Sequence, residues 1–379
     1  MLIQSNRVFI DDEFKKCQLT INGGKIVSID DYNFKKPDVD YGDLMILPGF
    51  YDVHCHGYGG YDTNDAKEEG LRKWLKEIPS QGVCGLCPTT ITQSNEVLTC
   101  ALKSVSSLYR KDYEGARILG INLEGPYISK EYKGAQPEQY IIKPSIEEFI
   151  EYQKAADGLI KITTIAPEED DDLSFIKHCV ASGVNVSLGH AGASYEKCLE
   201  AIEAGANCFT HTYNGMSRFS HRAVNMVGAA LASDCFAEAI CDCHHCMPAA
   251  LKIFFKCKGK NGIMVTDGLM TRGLPIGTKM VFGGQDIEVI QDGTCRIVET
   301  GNFAGSTLKI NEGIRNLVEK CDVPFNIAVA SCTSAPMRYL KLDDHKGYLK
   351  QGYDANVTIL DDDYVVKACY VEGVLYSYE

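Results

Sequence analysis

Pro48-Gly49-Phe50-Tyr51-Asp52-Val53-His54-Cys55-His56-Gly57 is the stretch on which the reading of this chain turns. It continues the apolar run Leu44 to Leu47, which reads as a strand. Alternation along a strand sends His54 and His56 to the same face, where both imidazoles can grip one metal ion. Two histidines alone would also fit a surface loop. Four further positions weigh against that. Glu124 ends the run Ala116 to Leu123, just before Gly125-Pro126 stops the strand. His190 closes Asn185-Val186-Ser187-Leu188-Gly189, His211 follows Asn207 to Thr210, and Asp267 ends Gly262 to Thr266 ahead of Gly268. Each of these residues stands at the C-terminal end of a separate short apolar run. In a parallel barrel those ends converge on one mouth, which is where such folds carry their chemistry.

Eight strand candidates end near His56, Thr90, Glu124, Pro167, His190, His211, His244 and Asp267. Helix-like stretches separate most of them: Asp65 to Pro79, Asn95 to Tyr109, Ser145 to Ala156, Leu173 to Ser182, Ser194 to Ala204 and Pro248 to Cys257. The alternation predicts an α/β fold, a (β/α)8 TIM-type barrel over residues 47–337. An open doubly wound sheet is the alternative. If it bound a dinucleotide it would need a glycine-rich loop after its first strand, and Gly57-Tyr58-Gly59-Gly60 lacks that spacing. The two ends of the chain differ from the middle. Gln18 to Ile21 and Lys25 to Ile29 flank the hairpin signal Asn22-Gly23-Gly24, and Asn356 to Leu360 and Val365 to Leu375 repeat the texture. Residues 1–46 and 338–379 are therefore expected to join in one small β domain. Lys279 to Val298 reads as a β excursion, and Ser306 to Cys321 as helical.

At 379 residues the chain has ample capacity for a core, and 45% hydrophobic with 23% charged residues is ordinary for a globular enzyme. A net charge of -13 argues against a nucleic-acid binder or an anionic-membrane binder, but a few local cations can still hold an anionic small substrate. Seventeen cysteines, an odd number spread along the chain and preceded by neither a basic nor an apolar leader, read as reduced thiols in a cytoplasmic protein. Cys84-Gly85-Leu86-Cys87 has redox spacing inside a buried-strand pattern, so core thiols are expected there. Cys241-Asp242-Cys243-His244-His245-Cys246 is too compact for all its donors to reach one ion. Only one or two of them are expected to be functional.

A divalent ion held by neutral imidazoles and a carboxylate lowers the pKa of bound water to roughly 7 and polarises a carbonyl. Asp267 can take the water's proton and pass it to a leaving nitrogen; its alternative role, a helix cap before Gly268, is the weaker one beside the other strand ends. Such a set suits hydrolysis of an amide. No nucleotide motif supports hydride transfer, and no nucleophile elbow supports serine catalysis.

With these residues in place, the chain resembles the amidohydrolase superfamily, and within it the N-acetylglucosamine-6-phosphate deacetylases. The likeness runs nearly end to end, carried by Pro48-Gly49-Phe50 with His54 to Gly57, Leu123 to Tyr127, Gly189-His190, Thr210 to Met216, His221-Arg222, Val265 to Gly268, Ala304-Gly305-Ser306, Ser334-Ala335-Pro336 and Gly352 to Asn356. The resemblance implies that Glu124, His190 and His211 bind the main metal, with His54 and His56 holding a second and Glu124 or Asp267 shared. It implies one or two divalent ions per chain; zinc, iron, manganese and cobalt all suit the donors. Asp267 would be general base and then general acid. Sugar-phosphate contacts would fall on Asn214 and Gly215 through backbone amides, and on Arg222, His245, Phe303, Ala304 and Gly305. A guanidinium suits phosphate because it binds bidentately and keeps its charge. The implied substrate is a phosphorylated N-acetyl amino sugar, and the implied assembly a homodimer. Two departures stand out. Gln136 occupies a position where the resembling enzymes usually have a histidine near the substrate amide, and Ala223-Val224-Asn225 replaces an acidic residue, proline and glycine. Alternatives from the same reading are a deacetylase for the galacto epimer, another amidohydrolase, and a non-catalytic metal-binding scaffold.

Overall fold

Eight short strands form two parallel sets, one of six and one of two, in a computed structural model that describes residues 1–378. In chain order they are β1 (Phe50–Cys55), β2 (Val83–Thr90), β3 (Ile121–Glu124), β4 (Ile160–Ile165), β5 (Asn185–Leu188), β6 (Cys208–Phe209), β7 (Ala237–Ile240) and β8 (Gly262–Val265). Strands β1 to β6 pair side by side in one curled sheet, to which the two-residue strand Arg117–Ile118 is added, while β7 and β8 pair with each other. Backbone hydrogen bonds link the two pieces, from Phe209 N to Phe236 O at 3.1 Å and from Asp267 N to His54 O at 2.9 Å.

Nearly every residue of these strands is buried, Lys161 being the exception, which is why they read as continuous apolar runs rather than as an alternating pattern. The helices between them start where the sequence supplies a cap. Ser94, Ser145 and Ser194 each accept a hydrogen bond from the backbone N–H three residues on, opening Asn95–Tyr109, Ile146–Ala155 and Tyr195–Glu203. Apolar side chains on their inner faces, among them Leu98, Leu102, Val105, Phe149, Tyr152 and Cys198, join a core that also contains Trp74, Phe175, Phe209 and Phe254.

The first and last segments of the chain share an antiparallel-rich sheet. Its order is Val374–Ser377, Val366–Val371, Val357–Leu360, Met45–Pro48, Leu2–Ile10, Glu13–Asn22, Lys25–Asp31, with Val39–Asp40 paired to Leu2–Ile10. Val357–Leu360 runs antiparallel to Met45–Pro48, so the C-terminal segment lies directly against the strand leading into β1. Ile3, Val8, Leu19, Ile26, Val357 and Ile359 form an apolar cluster of its own within this sheet.

Differences from the sequence reading have identifiable causes. The segment from Ser306 becomes helical only at Ile310–Arg315 and ends in the π turn Asn316–Lys320. Its first residues are extended because Ser306 N donates to Asp267 O (2.7 Å) and Leu269 N to Ser306 O (3.0 Å), which straps the segment beside the end of β8. Strand β7 stops at Ile240 rather than near His244, since the Asp242 side chain accepts from His244 N and His245 N and turns the chain. The excursion Lys279–Phe282, Gln285–Val289 and Cys295–Ile297 is a three-stranded sheet. Leu2–Ile10, Asn225–Ala232, Phe325–Cys332 and Ser334–Leu340 were not foreseen as elements. Among the described residues no helix is long and apolar enough to cross a membrane.

Candidate metal centre

All six expected donors converge. Glu124 Oε1 lies 3.2 Å from His190 Nε2, 3.1 Å from His211 Nε2 and 3.3 Å from His54 Nε2. The two ring nitrogens of His190 and His211 are themselves 3.0 Å apart. The other carboxylate oxygen, Oε2, lies 3.3 Å from His56 Nε2. Asp267 Oδ1 completes a second group at 3.0 Å from His56 Nε2 and 3.6 Å from His54 Nε2. Glu124 thus faces both groups, and Asp267 only the one with His54 and His56.

The backbone helps to bring them together. His190, His211 and Asp267 all leave their strands at positive φ, +48°, +27° and +49°, a conformation rare for residues with a Cβ and concentrated at functional sites. Gly215 lies against the His190 ring, where a Cβ would come within 2.9 Å of Nδ1, and its own φ is +60°. Only glycine fits there without displacing the ring.

The hydrogen bonds also fix the tautomers. His54 Nδ1 faces Glu238 Oε2 at 2.9 Å, His56 Nδ1 faces Thr89 O at 3.2 Å, His190 Nδ1 faces Tyr132 O at 2.7 Å, and His211 Nδ1 faces Asn214 O at 3.2 Å. Each Nδ1–H therefore donates outward, and each Nε2 lone pair points inward at another lone pair or a carboxylate. Buried lone pairs in mutual contact repel unless a cation lies between them. His54 Nε2 is buried with no hydrogen-bond partner. A divalent ion bonded at about 2.0–2.2 Å to nitrogen and oxygen sets its donors roughly 3 to 3.5 Å apart, which is the spacing found here. The residues fit the ion.

Without an ion, protons take its place. Burial opposes a charge on His56, but the hydrogen bonds and charges of Asp267 and Glu124 outweigh it and raise the ring's pKa to about 9. His54 and His190 are pushed up against burial in the same way, by Glu124 and Glu238 and by Glu124. Burial likewise works against the charge on Glu124 and Asp267, yet the surrounding rings hold both carboxyls below their ordinary values.

A cavity of about 490 Å³ opens over these groups. Gln136, Asn214, Gly215, His245, Phe303 and Gly305 line it, together with Arg218 and Asn302. His245 is the one member of the Cys241–Cys246 run that reaches the cavity, its ring held by Asp242 Oδ2 at 2.6 Å and lying against the Phe303 ring at 4.2 Å between centroids, tilted by 33°. Gln136 faces the metal donors rather than standing free: Nε2 donates to Glu124 Oε2 at 2.9 Å and Oε1 accepts from Thr92 N at 2.7 Å. Asn214 N donates to His211 O at 3.1 Å, so that amide is engaged within the loop. Ala304 is fully buried in the small cluster of Leu269, Phe282 and Ile297, behind the lining. Arg222 is exposed and lies outside the lining, because Ser220 and Ala223 exchange backbone hydrogen bonds and put His221-Arg222 at the tip of a tight turn. The arginine that lines the cavity is Arg218.

Sequence reasoning missed Arg218, Asp242 and Glu238. Asp242 had a readable signal, three residues before His245 in the same compact run. Glu238 lies mid-strand in Ala237-Glu238-Ala239-Ile240, and a charge inside a fully buried strand was the signal available for it.

The amidohydrolase family model matches residues 45–375. The N-acetylglucosamine-6-phosphate deacetylase of Bacillus subtilis (strain 168) is 35% identical over 373 residues, 96% of this chain and 93% of its own. The N-acetylgalactosamine-6-phosphate deacetylase of Escherichia coli O157:H7 is 32% identical over 362 residues, 95% of each chain. The crystal structure of N-acetylglucosamine-6-phosphate deacetylase from Pasteurella multocida superposes with a TM-score of 0.92 at 28% identity over the whole of both chains. A mutant of the Mycobacterium smegmatis deacetylase, solved with N-acetyl-D-glucosamine-6-phosphate, gives 0.93 at 28% identity over 99% of this chain and 98% of that one.

Proposed function

This chain belongs to the amidohydrolase family, and we propose that it hydrolyses the acetamide of N-acetylglucosamine 6-phosphate to glucosamine 6-phosphate and acetate. The observation that carries the reading is the pair of donor groups sharing Glu124 at the floor of a cavity that also contains Asp267. A divalent ion held by Glu124, His190 and His211, with or without a second on His54, His56 and Asp267, would activate water and polarise the amide carbonyl. Asp267, ionised at neutral pH and exposed to the cavity, takes the proton of the attacking water and delivers it to the leaving nitrogen. Gln136 holds Glu124 Oε2, and as an amide it donates without becoming cationic.

His245 and Phe303 form a wall for the sugar, with Gly215 and Gly305 letting backbone approach it, and Arg218 supplies the cation nearest the cavity for the phosphate. Arg222 is exposed and does not line its own cavity, so it belongs to the proposal only through a pair of chains; this joins it to the expected homodimer. The eight strands are proposed to close into one (β/α)8 barrel over residues 47–337, supported by the Phe209–Phe236 and Asp267–His54 backbone bonds. Residues 1–46 and 338–379 are proposed as the small β domain, supported by their common sheet and its own apolar cluster. A cytoplasmic setting is supported by thiols that are mostly buried as small core side chains.

The galacto epimer is the second reading, favoured by the Escherichia coli relative. Acetate release measured over both epimers, phosphorylated and not, separates them. Faster turnover of the glucosamine-type phosphate supports the first reading, and faster turnover of the galactosamine-type phosphate replaces it with the second.

A further inference from the structure

Glu238 is 0% exposed, in the middle of β7, and is absent from the set of donors that face the cavity. Its Oε2 accepts from His54 Nδ1 at 2.9 Å and from His211 N at 3.2 Å. Its Oε1 is buried with no hydrogen-bond partner, and among the described residues its ion-pair contact is the His54 ring alone. A buried carboxylate so thinly compensated costs free energy unless positive charge lies close by. The other three rings rest their Nδ1 atoms on neutral carbonyls of Thr89, Tyr132 and Asn214. Only His54 is backed by a full negative charge.

We infer that Glu238 is a positioning residue that sets the ion count of the centre, favouring occupation of the His54–His56–Asp267 group by a second divalent ion. The inference rests on the metal-dependent reading above. Charge bookkeeping gives its direction. Glu124 and Asp267 alone balance one divalent ion to zero and leave +2 with two ions; adding Glu238 changes these sums to −1 and +1. In a low-dielectric site an excess of +2 is much harder to hold than +1, so Glu238 shifts the balance from one ion toward two. A carboxylate on Nδ1 also raises the basicity of Nε2 on the same ring, at the atom that would bind the second ion.

The test is a zinc titration of metal-free protein, with bound zinc per chain determined by elemental analysis after equilibrium dialysis. Wild type is expected to hold two ions. E238Q keeps an oxygen for His54 Nδ1 and His211 N but loses the charge, and is expected to keep the first ion while the second binds roughly 10–100-fold more weakly, the scale of such outer contacts. E238D keeps the charge and is expected to retain the second ion better than E238Q. Equal losses in the two variants, loss of both ions together, second-ion affinity in E238Q within threefold of wild type, or a wild-type chain holding only one ion would each overturn the inference. A wild-type chain that binds no zinc would instead remove the metal-dependent reading beneath it.

Discussion

Replacing Asp267 by asparagine changes the proton inventory of the site with little change of shape. The backbone at this position is held independently of the side chain, by Asp267 N to His54 O at 2.9 Å and by Ser306 N to Asp267 O at 2.7 Å. The strained φ of +49° is one that asparagine tolerates better than most residues. D267N is therefore expected to fold. What it loses is a base: an amide oxygen accepts a hydrogen bond but does not take up a proton at neutral pH. General acid–base catalysis contributes typically 10²–10⁴-fold, so kcat should fall by that range, about 3 to 5.5 kcal/mol of barrier. The side chain also lies 3.0 Å from His56, so the charge lost bears on the His54–His56 group, and metal content has to be measured on the same samples. The assay is acetate release from N-acetylglucosamine 6-phosphate under saturating substrate and added metal. KM should change little, because the missing proton transfer belongs to the transition state. Activity within threefold of wild type at equal metal content would refute the role assigned to Asp267.

Arg218→Ala should lower kcat/KM for the phosphorylated sugar by roughly 10–100-fold, the scale of a hydrogen bond to a charged group, and leave the poor unphosphorylated substrate unchanged; equal losses on both would make Arg218 structural. Arg222→Ala should match that effect only if the chains pair, so a loss in a protein that sediments as a monomer would contradict the placement of its turn. The raised His56 pKa bears on stability with a definite sign. Its folded value of about 9 lies above the ordinary 6.5, so the proton's contribution is fully present below about pH 6.5 and is lost as pH rises through 9. The Tm of metal-free protein should fall over that window more steeply than that of metal-loaded protein, whose Nε2 is already engaged; parallel curves would contradict the proton–metal exchange.

The parallel strands were legible because strands buried on both faces leave continuous apolar runs, and their ends were legible because chemistry-bearing residues punctuate them at Glu124, His190, His211 and Asp267. The helix Asn95–Tyr109 was readable to the residue. Less visible were the features fixed by contacts distant in sequence. Gln136 binds Glu124 from a loop twelve residues away, and nothing local says which oxygen it holds. The Ser220–Ala223 turn that carries Arg222 depends on backbone hydrogen bonds, and Asn225–Ala232 was missed because an almost wholly apolar helix has no polar stripe to mark its period. Ser306 was read as helical because its tie to Asp267 is invisible in a local window.

The most direct measurement is acetate release from N-acetylglucosamine 6-phosphate by chelator-stripped protein, before and after zinc, iron, manganese or cobalt is restored. The convergence of Glu124, His54, His56, His190, His211 and Asp267 predicts negligible release from the stripped protein and recovery with at least one of the four ions. Release undiminished by verified removal of metal, or none with any of the four ions, would contradict the account.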